Sequence, residues 1–162
     1  MDALITRGIK YKLILFIGIC LLFIVGCSNE GESKKEAISV KNTSMLQYFK
    51  DKNPKVDVIS VKEGDLNSDS FEDMIVMFKH NKDGKEEVAF TVVIKKENGY
   101  ETLKHYRAPI ENQKIEVKNI DNKPPVEFSI SGSKNGEVGL SIYRLEGNKI
   151  IDIFGLDSMD AC

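Results

Sequence analysis

Residues 74–94 have the sequence MIVMFKHNKDGKEEVAFTVVI, in which two apolar runs flank a short polar segment. The runs at 74–78 and 88–94 consist largely of residues that favour strands. Asp83-Gly84, between them, suits a tight turn because such turns need residues that tolerate positive φ. The stretch therefore predicts an antiparallel β-hairpin, and this hairpin sets the fold class for the sequence around it.

Strand and turn signals continue on both sides of this hairpin. Further strand candidates lie at 56–61, 103–106, 115–120, 126–131, 138–145 and 149–154. Turn signals that place Gly beside Asn separate several of them, at Glu97-Asn98-Gly99, Lys134-Asn135-Gly136 and Glu146-Gly147-Asn148. Pro124-Pro125 interrupts a regular ladder, so we expect a strand to open at Val126.

One short helix is predicted before the strands. After Thr43, which suits a helix cap, apolar residues recur at helical spacing until the chain approaches Pro54. These residues are Met45, Leu46, Tyr48 and Phe49. The sequence thus predicts a mainly β protein, an open antiparallel sheet or meander of hairpins that resembles part of a propeller, with one short N-terminal helix.

Composition limits the functions that the chain can serve. It has 162 residues, of which 41% are hydrophobic and 30% charged, which fits one globular domain with an appendage and excludes a large enzyme. The formal net charge of −2 gives no indication of a nucleic-acid partner. The sequence contains no glycine-rich phosphate loop, nucleophile-elbow serine or Cys-x-x-Cys pair, so we expect a non-enzymatic protein.

The N-terminal segment has the pattern of a signal peptide. Arg7, Lys10 and Lys12 precede an uncharged, mostly apolar run at 13–26. This run is shorter than the roughly 20 apolar residues that a membrane-spanning helix needs. We therefore expect residues 1–26 to be removed from the mature protein, the alternative being an uncleaved signal anchor.

Ile24-Val25-Gly26-Cys27, at the end of that run, resembles the bacterial lipobox. The resemblance implies that Cys27 receives a diacylglycerol anchor and becomes the first mature residue. It also implies a place in the cell envelope, on the outer face of the bacterial cytoplasmic membrane. The polar residues that follow, up to residue 42, predict a flexible tether, so that 27–42 form the anchor and tether and 43–155 the β-rich globular domain.

An acidic loop at 64–73, GDLNSDSFED, leads directly into the first run of the hairpin. Oxygen-bearing residues recur in it at alternate positions, and hard Ca²⁺ prefers six to eight oxygen ligands. Asp65, Asn67, Asp69 and Asp73 would supply side chains, and Phe71 its carbonyl. The pattern predicts a calcium site that stiffens the loop.

This loop resembles the calcium-binding element D-x-N-x-D-G-x-x-D of integrin-type FG-GAP and VCBS repeats, which also precedes an apolar strand. The family's glycine is Ser70 here. A metal-free interpretation stays open beside it, in which Asp65, Asn67 and Asp69 bond to nearby backbone amides in Asx-turns. Acid–base catalysis by the clustered carboxylates is a third interpretation, and it requires a cleft and a perturbed pKa.

The C-terminal segment suggests a different chemistry. Residues 156–162 predict a flexible tail that ends in the thiol of Cys162, and Met159 adds a thioether, so that both sulfurs could bind a soft metal. The layout of lipobox, β-rich domain and terminal cysteine resembles the Cys-Cys-COOH (seleno)protein lipoproteins associated with organometal-handling loci. In that family a Cys-Cys or Cys-selenocysteine pair ends the chain, whereas Ala161 precedes Cys162 here.

Two functional hypotheses follow from the sequence. The first is a membrane-anchored extracytoplasmic lipoprotein whose β-rich domain is a non-enzymatic binding or accessory module for an unidentified protein or ligand. The alternative is thiol-dependent metal or organometal handling through Cys162. Replacing Cys162 by Ser discriminates between them, because soft-metal binding requires the thiol only in the second hypothesis.

Overall fold

A computed structural model of the chain describes residues 38–153. Within this range one helix precedes nine strands. In chain order they are α1 (Thr43–Lys52), β1 (Asp57–Gly64), β2 (Asp73–Lys82), β3 (Lys85–Lys96), β4 (Gly99–Thr102), β5 (Tyr106–Arg107), β6 (Glu111–Lys118), β7 (Glu127–Lys134), β8 (Glu137–Glu146) and β9 (Lys149–Asp152).

The strands form two antiparallel sheets. The first sheet has the order β1-β2-β3-β4, with β5 also paired to β3, and the second has the order β6-β7-β8-β9. The turns that join β2 to β3 and β7 to β8 have positive φ at both central residues, 53° at Asp83, 80° at Gly84, 54° at Asn135 and 85° at Gly136. The predicted fold class, mainly β with antiparallel hairpins and one short helix, is confirmed.

The central hairpin β2–β3 is buried on both of its faces. Ile75 and Met77 belong to a core shared with the second sheet, whereas Met74 and Phe78 belong to a core shared with α1. Phe78 packs against Phe49 of the helix, with the ring centroids 5.3 Å apart. Because neither face meets water, the sequence of this hairpin shows continuous apolar runs instead of alternation. The described chain thus has three layers, helix, first sheet and second sheet, where the sequence predicted one open sheet.

One predicted strand is divided in the structure. The candidate at 103–106 lies between β4 and β5, and residues 103–105 are not part of any strand. The hydroxyl of Thr91 donates to the carbonyl of Leu103 at 2.9 Å and so replaces a ladder bond there. Pairing resumes at Tyr106, which faces Phe90, with one extra residue accommodated on this side of β3.

Asn42 caps the helix, one residue before the predicted cap at Thr43. Its Oδ1 accepts a hydrogen bond from the Met45 N–H at 3.1 Å. The carboxylate of Glu63 on β1 accepts from the backbone N–H groups of Lys41 and Asn42, at 3.1 and 2.8 Å. The chain therefore enters the helix along the edge of the first sheet.

The segment that connects the two sheets makes a close contact at Gly132 on β7. A Cβ atom at Gly132 would lie 2.5 Å from the Cβ of Pro109 and 2.7 Å from the carbonyl oxygen of Glu111. Atoms of an ordinary side chain never approach so closely, and the carbonyl belongs to backbone that cannot easily move. Glycine is therefore required at this position for the connection to pass.

We predict that Gly132→Ala lowers the free energy of unfolding by about 1–3 kcal/mol, because the new methyl group overpacks this contact. Gly139→Ala on β8 is the matched control: a Cβ there meets no atom within 4 Å, so this variant should not lose stability and should gain up to about 1 kcal/mol from the lower backbone entropy of alanine. Urea denaturation of both variants checks the prediction, and equal effects would contradict it.

Candidate functional site

The acidic loop folds around its own side chains. Asp65 accepts hydrogen bonds from the N–H groups of Asp69 and Ser70, at 3.1 and 3.0 Å. Asn67 Oδ1 also accepts from Asp69, at 3.0 Å, and Asp69 Oδ1 accepts from the Phe71 N–H at 2.9 Å. The structure therefore brings Asp65, Asn67 and Asp69 together, in the Asx-turn arrangement that the metal-free interpretation describes.

Two serines of the loop adopt left-handed backbone conformations. Ser68 has a φ of 61° and Ser70 a φ of 71°. Residues that carry a Cβ pay a conformational cost in this region. Ser70 lies at the glycine position of the resembling calcium element, and its N–H bond to Asp65 holds the conformation in place.

Asp73 faces the core and does not point into the loop. It is fully buried, and its two oxygens accept from the Leu66 N–H at 3.2 Å and from the Lys95 N–H at 2.9 Å. Burial raises the pKa of Asp73 to about 6; these two hydrogen bonds oppose the rise, and the charges of Asp69 and Asp65 add to it. The carboxylate thus ties the start of the loop to the end of β3.

Metal binding stays a prediction. Among residues 38–153, no group of three or more His, Cys, Asp or Glu side chains is arranged to hold an ion. The ligand role predicted for the Phe71 carbonyl is likewise untested. The other predicted site residues, Cys27, Met159 and Cys162, lie outside the described residues.

A second candidate site, which the sequence did not indicate, is a cleft between the two sheets. It lies near the turns of the hairpins β2–β3 and β7–β8 and has a volume of about 440 Å³. The acidic loop is at the other end of β2, which spans about 30 Å at the usual rise of a strand. The cleft is lined by Glu86, Glu87, Val88, Arg107, Ala108, Pro109, Ile110, Gly132, Ser133, Lys134, Glu137, Val138, Gly139 and Leu140.

Two glycines on neighbouring strands explain why the cleft is open. Gly132 on β7 pairs directly with Gly139 on β8. Pro109 occupies the space next to Gly132. At Gly139, by contrast, a Cβ atom would have no other atom within 4 Å. Two apolar residues that flank Gly139 are exposed, Val138 to 83% and Leu140 to 58%. Because successive side chains of a strand point to opposite faces, both lie on the outer face of the second sheet and not on the face that carries Gly139.

Two acidic side chains of the cleft form ion pairs. Glu86 forms an ion pair with Lys79 at 2.8 Å, and Glu87 lies 3.8 Å from Arg107. Lys134 and Glu137 also line the cleft, so it offers a ligand apolar walls together with charged groups. A volume of this size falls in the range of sites for small molecules or for a few side chains of a peptide.

The sequence carried a weak signal for this cleft. Gly132 and Gly139 both lie inside strands, where glycine often marks a bulge or a close approach of the backbone. Their direct pairing follows from the register that the Asn135-Gly136 turn imposes. The position of Pro109 against one of them depends on tertiary packing alone, so the sequence could not show which glycine stays uncovered.

Comparisons with known proteins add no relatives. A scan against protein-family models and searches of curated proteins and of solved structures find no match to the chain. Within residues 38–153, no helix has both the length and the apolar character that crossing a membrane requires.

We predict that Asp73 makes stability depend on pH between about 4 and 6, measured in calcium-free buffer. Its pKa is about 6 in the folded chain against a reference value of 3.8, so the folded state binds the proton more tightly. The contribution of Asp73 to stability therefore increases as the pH falls through 6 and is complete below about 4.

Carbon-13 NMR titration of the carboxyl groups checks this directly. Asp73 should titrate near pH 6. Asp121 is the comparison, because a hydrogen bond from Arg144 lowers its pKa, and it should titrate below the usual range of aspartate. In urea denaturation, Asp73→Asn should remove the additional stability that the wild type gains between pH 6 and 4. A midpoint for Asp73 below pH 4 would contradict the prediction.

Proposed function

We propose that this protein is a membrane-anchored extracytoplasmic lipoprotein whose β-rich unit is a non-enzymatic binding module, with the cleft beside Gly139 as its binding site. The observation that carries the proposal is the cleft itself, about 440 Å³ in volume and open beside Gly139, where a Cβ would meet no atom within 4 Å. Sites of this kind bind ligands by burying apolar surface while a few polar groups set orientation.

The anchor in this proposal is the lipid on Cys27. Each methylene group buried in a bilayer contributes about 0.8 kcal/mol, so two acyl chains hold a protein far more firmly than one. The lipobox resemblance of Ile24-Val25-Gly26-Cys27 supports this anchor. The protein then presents its cleft to the space outside the cytoplasmic membrane, in the cell envelope.

The ligand in this proposal has an apolar body. The walls of the cleft include Val88, Ala108 and Ile110, and its floor is the backbone of paired glycines. A flat floor without side chains accepts a planar ring or an extended backbone. The ion pairs at the rim, Glu86 with Lys79 and Glu87 with Arg107, are then a polar border to an apolar site.

Replacing Cys27 by Ala tests the anchor. In the proposed lipoprotein, the wild type partitions into the membrane fraction and its mature mass includes a diacylglycerol group, whereas Cys27→Ala lacks the lipid and retains residues 1–26. Cys162→Ala is the control and should carry the lipid as the wild type does. Mass spectrometry of protein from its own membrane measures both properties, and an unmodified Cys27 in the wild type would overturn the lipoprotein assignment.

Filling the cleft tests the binding site. Indole serves as the apolar probe, with the lipidated chain in nanodiscs and methyl NMR as the readout. The methyl resonances of Val88 and Ile110, which line the cleft, should shift saturably with indole in the wild type. Gly139→Leu, which places a side chain into the open space, should weaken binding at least tenfold.

Ser131→Leu is the matched control for that experiment. It adds the same side chain to the opposite face of the second sheet, because Ser131 pairs with Leu140 whereas the cleft floor is the pair Gly132 and Gly139. Indole should bind this variant as it binds the wild type. The absence of a saturable shift in the wild type, or equal affinity in Gly139→Leu, would overturn the proposed site.

A further inference from the structure

The outer face of the second sheet carries a row of aliphatic side chains along β8. Tyr143 belongs to the core between the two sheets, so the side chains of Val138, Leu140 and Ile142 point to the opposite, outer face. Val138 and Leu140 are exposed and Ile142 is half-buried. These three side chains form an apolar ridge, which lies on the other face of the sheet from the cleft.

The two neighbouring strands give the ridge different borders. On β9 the apolar surface continues through Ile151 and Ile153, which are 38% and 42% exposed. On β7 the residues paired with the ridge, in order from its first member, are Ser133, Ser131 and Ser129. A row of long apolar side chains therefore runs beside a row of short polar ones.

The ridge and the serine row have the arrangement that a two-fold symmetric pair of chains requires. With the symmetry axis between β7 and β8 and parallel to them, each residue of β8 lies over the second copy's equivalent of its own β7 partner. Leu140 then lies over Ser131 of the second copy, and Arg144 over its Glu127, because these residues are paired within one chain. Long side chains meet short ones, and positive charge meets negative charge.

The size of the outer face suits such a pair. β8 has ten residues, which span about 34 Å, and the four strands of the sheet, spaced by about 4.8 Å, cover about 19 Å. The face therefore measures roughly 650 Å² in projection, near the ~800 Å² that each partner buries in a standard interface. Two sheets can pack face to face in this way, as they do in a β-sandwich.

We propose that a second copy of this chain covers the outer face, with the ridge of each copy over the serine row of the other. A lipid surface fits this face less well, because the serines of β7 and the outward residues of β6, which are Lys114, Glu116 and Lys118, would lose water without gaining partners in a bilayer. The dimer leaves the cleft open, since the cleft lies on the other face of the sheet.

Exchanging two facing residues tests this arrangement. Leu140→Ser removes the centre of the ridge, and Ser131→Leu places two leucines at one point, so each should raise the dissociation constant of the dimer about tenfold. The double variant again has a leucine over a serine and should return to within about threefold of the wild type. Full-length chains labelled with donor or acceptor at Cys162, in phosphatidylcholine vesicles, report the dimer by energy transfer across a range of surface densities.

Ile38→Ser is the matched control, because Ile38 is also exposed but precedes the helix, away from the second sheet. It should associate as the wild type does. A double variant that associates no more tightly than the single variants overturns the proposal, and so does a Ser131→Leu variant that associates more tightly than the wild type, since the contact is then nonspecific.

A wild type whose energy transfer is no higher than that of randomly distributed chains also overturns the proposal. In that case spin-labelled lipid in nanodiscs shows whether a bilayer is the occupant instead, because it would broaden the methyl resonances of Leu140. Broadening at Leu140 together with dimer-level energy transfer that all the variants share equally would likewise contradict a ridge packed on the serine row.

Discussion

Burial of the β2–β3 hairpin on both faces is the constraint on which the described structure depends. Phe78 on one face meets Phe49 of α1, and Phe90 on the other meets Phe128 of the second sheet. Each large apolar side chain buried in this way contributes about 1.5–3 kcal/mol. Since both neighbouring layers pack on this hairpin, its two ends determine where the acidic loop and the cleft lie.

The two ends of the hairpin are organised by different interactions. At the start of β2, backbone amides are bound by side-chain oxygens, and Asp73 carries a buried carboxylate that holds the loop to β3. At the β2–β3 turn the facing strands carry glycine, and the layers leave about 440 Å³ between them. One end is thus closed by hydrogen bonds, whereas the other has an open cleft.

Much of this arrangement could be predicted from the sequence, and the rest could not for physical reasons. Continuous apolar runs and Gly-containing turns predicted the hairpins, because both depend on neighbouring residues. Division into two sheets was missed, since period-two alternation does not reveal which strands share a sheet. The alternation of oxygen-bearing residues predicted that the side chains of Asp65, Asn67 and Asp69 would meet. The same pattern also included Asp73, but the side chain of Asp73 accepts from the N–H of Lys95, 22 residues away, and the sequence gives no sign of this contact.

The two paired glycines of the cleft floor differ in their surroundings. Gly132 is required by the contact with Pro109, whereas the residue at 139 has open space around it. Glycine inside a strand costs roughly 0.5–1 kcal/mol relative to alanine, and a larger apolar residue would also cover part of the core. Because packing gives no reason for glycine at position 139, the open space beside it supports the binding site proposed for this cleft.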